Sequence, residues 1–477
     1  MEDLVALSAR DAVDRLAAGD LSPLELIDAA ERRIAQTEPL INAMPTLCFD
    51  RARARARDLA ANPPTDSGPG YLHGLPVAIK DLVDVAGVRT TYGSPIFADH
   101  VPETSDILVE NLEQNGGIVI GKANTPEFGA GANTFNEVFG TTSNPWDTTT
   151  TCGGSSGGSA AALAAGQVWL ASGSDLGGSL RIPASFCGVV GFRPSPGRVA
   201  HSPGSNPFDS LPIQGPMGRN AADTALMLDA MTGMSRWDPL SLPAPARPFL
   251  EAAIEPRPPA RVAFSPDLGL VPVHADVRAA CEAAARRFAD CGAAVEADCI
   301  DFGGARDAFQ ALRGASFVTG RQYLLDQYRD QLKPDVIWNI ESGLVLSAAD
   351  IGAATRARAD LFRRTVAFFE TYDLLFCPTV LTPPFNHEIR YLTEFDGTKF
   401  DNYVDWLILT FVITLTSCPT ISVPCGFTRD GLPVGLQIMG PPRADAEVLA
   451  AAALVEQTSG LANAVPIDPR PHAIPPD

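Results

Sequence analysis

Residues 152–198 read CGGSSGGSAAALAAGQVWLASGSDLGGSLRIPASFCGVVGFRPSPGR. Two glycine-rich serine loops, GGSSGGSA and GSDLGGSLRIPASFCG, flank a small-residue helix, expected to begin over residues 160–165, and a strand. Glycine lets the chain turn tightly, so that successive N–H groups can converge on one spot. Asp175-Leu176-Gly177-Gly178-Ser179 is such a run. Its amides can hold the oxyanion made when Ser179 itself attacks a carbonyl. Gly153-Gly154-Ser155-Ser156-Gly157 also matches the G-x-S-x-G elbow that presents a serine to a histidine later in the chain. His387, in PPFNHE, would then be the base. A plain turn is the alternative for any single loop of this composition.

A serine hydroxyl needs a base. Only four of the 36 basic residues are lysines: Lys80, Lys122, Lys333 and Lys399. Lys80 closes the apolar run Leu75-Pro76-Val77-Ala78-Ile79. A desolvated ammonium can lose its proton near neutrality, whereas a guanidinium cannot. The other reading of Lys80 is a side chain snorkelling to the surface. GGIVIGK, residues 116–122, has the spacing of a phosphate loop, but Ala123 stands where that loop needs a hydroxyl for magnesium. The apolar residues between predict a short buried strand instead.

Further out, strand and helix patterns alternate, which argues for an α/β sheet covered by helices. The first 60 residues read as helical, with Ser22, Pro23 and Glu25 forming a helix start and capping box. RARARAR, residues 51–57, spaces its arginines around a solvated helix. A Pro/Gly-rich loop is expected over 61–70, helices over 107–116 and 278–291, and a mostly helical stretch over 305–372. Residues 242–260 are proline-rich and read as a surface crossing. RVAFSPDLG, DLLFCPTV and TISVPCGF read as strands. Trp406 to Thr428 carries no charge, yet Pro419, Pro424 and Gly426 break it. It is expected to form a buried helix over 403–416 and a buried strand over 420–423, not a membrane span.

The 477 residues are 45% hydrophobic and 19% charged, enough apolar content for a large core. Asp and Glu number 56 against 36 Lys and Arg, a net charge of -20, which argues against nucleic acid as a partner. The nine cysteines form no C-x-x-C pair and the six histidines no ligand-spaced pair, so reduced thiols, no metal and a cytoplasmic setting are expected. The opening MEDLVALSARDAVDRLAAGDLSP lacks the basic and apolar regions of a signal peptide.

GLPVAIKDLVDVAG, GGSSGGSAAALAAG and GSDLGGSLRIPASFCGVVGFRPS together resemble the signature blocks of the amidase signature family. LSPLELIDAAERRI, GKANTPEFG, TSNPWD and CPTISVPCGFTRDGLPVGLQIMG resemble its flanking blocks, in the right order over nearly the whole chain. The resemblance implies one α/β/α domain over 1–477, a mixed twisted sheet with helices on both faces. Within it, 1–60 would be N-terminal helices, 71–235 the catalytic core and 261–440 the second half. It also implies a triad: nucleophile Ser179, bridging Ser155 after a cis Gly154–Ser155 bond, and base Lys80. The amides of Leu176, Gly177, Gly178 and Ser179 would form the oxyanion hole, supported by Gly154, Ser156, Asp175 and Arg181. Arg193 departs from the lysine usual in the family, at a position expected to touch no catalytic residue.

No cofactor is implied, and the implied activity is hydrolysis of carboxamides, with esters or carbamates as related substrates. Pocket walls are expected from 128–136, 317–340 and 383–411, with Gly129, Ala130, Phe135, Trp338, Tyr403 and Trp406 as substrate contacts. Phe317, Tyr323 and Phe411 belong to the same aromatic set, which suits aryl or apolar acyl groups. Two alternatives share the blocks: the amidase component of a tRNA-dependent amidotransferase, and a small-molecule binding protein without catalysis. A homodimer is an expectation of base rate alone.

Overall fold

The computed structural model describes residues 3–62, 67–202, 204 and 206–475; the expected 61–70 loop lies partly outside them. An eleven-stranded sheet runs through the molecule. Its strands are β1 (Thr46–Leu47), β2 (Pro76–Lys80), β3 (Ile118–Ala123), β4 (Leu170–Asp175), β5 (Val190–Arg193) and β6 (Ile213–Gly218). The second half adds β7 (Arg261–Phe264), β8 (Ala294–Ala297), β9 (Leu374–Pro378), β10 (Thr420–Phe427) and β11 (Pro433–Met439). Their order in space is β1-β3-β2-β4-β6-β5-β10-β11-β9-β7-β8. β3, β2 and β4 run parallel, as do β9, β7 and β8, and the remaining pairs are antiparallel. This is the α/β sheet that the alternating patterns predict, and it is mixed, as the resemblance implies.

Strands β2 and β3 are buried at every position, which is why they read as continuous apolar runs and not as alternating ones. One large apolar core joins them to the helices Pro23–Ile41, Gly157–Ala164, Ala221–Met231, Ala275–Phe288 and Asp445–Ser459. A second core gathers Ala263, Leu375 and Met439 with the helices Ala305–Tyr328, Ala348–Phe368 and Ile408–Thr414. The capping box forms: Ser22 Oγ accepts from the Glu25 N–H, and the Glu25 carboxylate accepts from the Ser22 N–H at 2.8 Å.

The basic run lies on the helix Phe49–Ala61. Arg51 pairs with Glu113 at 2.6 Å, Arg53 with Asp28 at 2.7 Å, and Arg55 with Asp58 at 2.6 Å. Three of its four arginines are thus spent on nearby carboxylates. GGIVIGK forms β3, whose Lys122 is buried and donates to the Val83 carbonyl (2.7 Å) and to Thr90 Oγ1 (2.6 Å). It cannot cradle a phosphate.

Several boundaries differ from expectation. The helix after the first serine loop starts at Gly157. A Cβ on Gly158 would lie 2.3 Å from the Asn124 backbone nitrogen, so the glycines belong to the packed helix and not to the loop. Strand β10 extends to Phe427, and a turn at Asp405–Leu407 precedes the helix Ile408–Thr414. The proline-rich segment contains a helix, Phe249–Ile254, anchored because Phe249 and Ala253 are buried. Among the described residues no helix is long and apolar enough to cross a membrane.

Candidate active site

Parallel strands β2 and β4 end side by side, so Lys80, Ser174 and Asp175 share one carboxyl edge of the sheet, where ligands of α/β folds bind. Ser155 enters the same place just ahead of the helix Gly157–Ala164, after a cis Gly154–Ser155 peptide. Ser179 follows β4 in the loop that leads into the helix Arg181–Cys187. Three segments distant in sequence thus meet at one cavity of about 410 Å³, whose walls include Ser155 and Ser179.

Lys80 is fully buried. Its Nζ lies 2.7 Å from Ser155 Oγ, 2.9 Å from Ser156 Oγ and 3.0 Å from Ser174 Oγ. Burial pushes its pKa down to about 7, against a smaller upward pull from Asp175. Proton accounting fits a neutral amine. Ser156 Oγ donates to the Ser174 carbonyl (3.3 Å) and accepts from the Ser174 N–H (3.2 Å), so its proton is committed and Lys80 donates to it. One remaining N–H and one lone pair then suit the two hydroxyls of Ser155 and Ser174. Ser174 was not among the sequence candidates. Its signal was the strand period: Ser172 and Ser174 alternate along β4, and Ser172 Oγ accepts from the Lys80 N–H at 3.0 Å.

The loop carrying Ser179 is held by Asp175. Its carboxylate accepts from the Gly178 N–H (2.9 Å) and the Leu180 N–H (3.2 Å), and from Arg181 Nε (3.0 Å) and a terminal Arg181 nitrogen (2.9 Å). Burial alone would raise the Asp175 pKa; Arg181 and Arg193 outweigh it and hold it at about 2. Arg181 spends its other hydrogens on the Thr410 carbonyl, Thr414 Oγ1 and Gln437 Oε1, and Thr410 Oγ1 donates to the Gly177 carbonyl at 2.6 Å. The helix Ile408–Thr414 therefore clamps the loop, a role the sequence did not disclose. Gly178 has φ +123°, and a Cβ there would lie 2.3 Å from Thr410 Oγ1.

Two expectations need correction here. The Gly178 N–H points to Asp175, so the donors without a partner among the described residues are those of Leu176, Gly177 and Ser179. Arg193, expected to touch no catalytic residue, does reach the residue that holds the Ser179 loop: it donates to the Asp175 carbonyl and lies 3.5 Å from the Asp175 carboxylate.

Ser179 Oγ has no hydrogen-bond partner among the described residues, and the Ser179 carbonyl accepts from the Ser156 N–H at 3.2 Å. His387 stands against Ser143 Oγ at 3.3 Å and does not reach either loop serine, which removes the elbow reading. Of the expected substrate contacts, Gly129 and Tyr403 line the cavity. Ala130 is buried, with its carbonyl accepting from Lys333 Nζ. Phe135 lies under the cations of Lys333 and Arg390, while Trp338 packs edge-on against Tyr403 from behind. Trp406 is core, edge-on to Phe385, and Phe411 is stacked beneath Phe309 at 4.5 Å. Tyr323 is exposed. The aromatic wall keeps Phe317 and Tyr403 of the expected set, with Phe128 from the expected 128–136 segment, and adds Phe309. Among the described residues no group of three or more His, Cys, Asp or Glu side chains could hold a metal ion.

Comparison with known proteins agrees with this architecture. The family model described as Amidase matches residues 25–449. The chain is 35% identical to an acylamidase of Rhodococcus erythropolis over 98% of each chain. It is 34% identical to a glutamyl-tRNA(Gln) amidotransferase subunit of Symbiobacterium thermophilum, over 91% of this chain and 92% of that one. The crystal structure of a bacterial aryl acylamidase of the amidase signature family superposes with a TM-score of 0.88 at 28% identity, covering 97% of this chain and 99% of that chain. The fold, the match over nearly the whole length and the enzymes it resembles make this chain a member of the amidase signature family, an enzyme that hydrolyses the C–N bonds of amides.

Proposed function

We propose that the protein hydrolyses carboxamides through an acyl-enzyme on Ser179. Neutral Lys80 takes the proton of Ser155 as Ser155 takes that of Ser179, and Ser179 Oγ attacks the carbonyl carbon. The N–H groups of Leu176, Gly177 and Ser179 stabilise the oxyanion. The proton returns through Ser155 to the leaving nitrogen as the C–N bond breaks. Water then adds to the acyl-enzyme, giving up its proton by the same route, and the carboxylic acid leaves with Ser179 restored.

One observation carries this reading: a fully buried lysine at hydrogen-bond distance from Ser155, with no carboxylate within ion-pair distance among the described residues. Esters and carbamates present the same attackable carbon and belong to the same proposed range. Phe128, Phe309, Phe317 and Tyr403 suit an aryl or apolar group. The test is labelling with a fluorophosphonate followed by peptide mass mapping. A tag on Ser179, absent in Ser179→Ala, is the expected result; a tag on Ser155 alone, or none, refutes the assignment.

A further inference from the structure

Away from the serines, the cavity runs along the helix Ala305–Tyr328, where Arg313, Phe317 and Arg321 form one stripe at four-residue spacing. The two guanidinium carbons lie 4.5 Å and 4.9 Å from the centre of the same Phe317 ring. Arg313 also faces Tyr403 at 5.3 Å, and Arg321 faces Phe128 at 5.6 Å. Arg313 is only 6% exposed, and its hydrogen bond goes to a neutral group, Tyr403 Oη, which also accepts from Asn339 at 2.7 Å. Arg321 Nε is buried without a partner. Among the described residues neither arginine has a carboxylate within ion-pair distance.

This is conspicuous in a chain with 56 acidic residues. The carboxylates on the cavity wall are engaged elsewhere. Asp175 holds Arg181; Asp209 accepts from Ser316 Oγ and the Leu211 N–H; Asp238 accepts from the His201 and Leu240 N–H groups. Arg313 is buried and Arg321 half-buried; two like charges sharing one ring, with aromatic faces and one phenol for company, are costly to desolvate even in part unless an anion completes the set. Guanidinium groups recognise a carboxylate through parallel N–H···O bonds.

We infer that the substrate amide carries a free carboxylate, held by Arg313 and Arg321 while its apolar body rests on Phe128 and Phe317. This rests on the Ser179 reading for the reaction but not for the binding. The test therefore measures binding to Ser179→Ala by calorimetry, with matched pairs. Glutaranilate against hexananilide puts the charge on the acyl side; 4-acetamidobenzoate against 4′-methylacetanilide puts it on the amine side. In at least one pair the anion should bind about tenfold tighter or more, as expected for a charge-assisted pair. That preference should vanish in Arg321→Gln and Arg313→Gln and largely persist in Arg321→Lys, which keeps the charge if the glutamine variants misfold. Equal binding within both pairs, no binding of any of the four, or a preference unchanged by both glutamine variants overturns the inference. Release of aniline or of another arylamine by Ser179→Ala would instead refute the nucleophile assignment and leave the binding preference to stand or fall separately.

Discussion

Two lysines lie on neighbouring parallel strands, both fully buried, and they do opposite things. Lys122 on β3 stands 3.3 Å from Asp81 and donates to a carbonyl and a threonine. Among the described residues, Lys80 Nζ on β2 hydrogen-bonds only to serine hydroxyls. Burial lowers the pKa of both; Asp81 opposes the shift at Lys122 from within ion-pair distance, while at Lys80 only the weaker pull of Asp175 does so. A carboxylate partner makes a buried lysine a fixed structural cation. Hydroxyl partners satisfy its hydrogen bonds without holding its charge, and leave an amine that titrates near neutrality.

The comparison can be broken most severely at Lys80. Lys80→Met should lower kcat/KM by about 10³- to 10⁴-fold, Ser179→Ala by at least as much, and the double variant by little more, because the groups act as one unit. Steady-state hydrolysis of an anilide measures all three, and additive losses would contradict the shared role.

A milder perturbation is pH. In the proposed mechanism the working form of Lys80 is the neutral amine, so kcat/KM should be flat above about 7 and fall as acid protonates it, about tenfold per pH unit below that point. The profile measured from pH 5 to 9 should show this acidic limb; an activity rising toward low pH would reverse the sign and reject Lys80 as the base.

Lys122→Met sharpens the contrast from the other side. It strands Asp81 in the core, so unfolding free energy should drop by about 3–5 kcal/mol in denaturant titration, with the acidic midpoint of the activity profile unmoved. The smallest expected effect is at Ser174→Ala. Removing one hydroxyl leaves the ammonium form less solvated, so the midpoint should move below that of wild type, with kcat reduced about tenfold. An upward shift would mean that Ser174 favours the neutral amine.

Much of the site was legible because its chemistry is local. GSDLGGS carries the proposed nucleophile and its amides in adjacent residues, and GGSSGG carries Ser155 and Ser156 together. The strands β2 and β3 were legible because burial on both faces leaves an uninterrupted apolar run. The pocket was not. Trp406 and Phe411 look like pocket aromatics by their position, yet both are spent on the core, whereas Phe309 was overlooked and lines the wall. An aromatic residue on a helix reads the same from sequence whichever neighbour covers it.

The sequence by itself determined which residues are proposed to carry the chemistry and that strands and helices alternate around them, because reactive groups and hydrophobic period are properties of short segments. Only the tertiary structure decided that Asp175 takes the Gly178 N–H, that Thr410 clamps the loop from more than two hundred residues away, and that Arg313 and Arg321 face the cavity with no carboxylate partner among the described residues. Each of these depends on which partner is near in space, and burial makes that choice energetically decisive: a charge or an N–H out of water is stabilised only by the group that packing places against it.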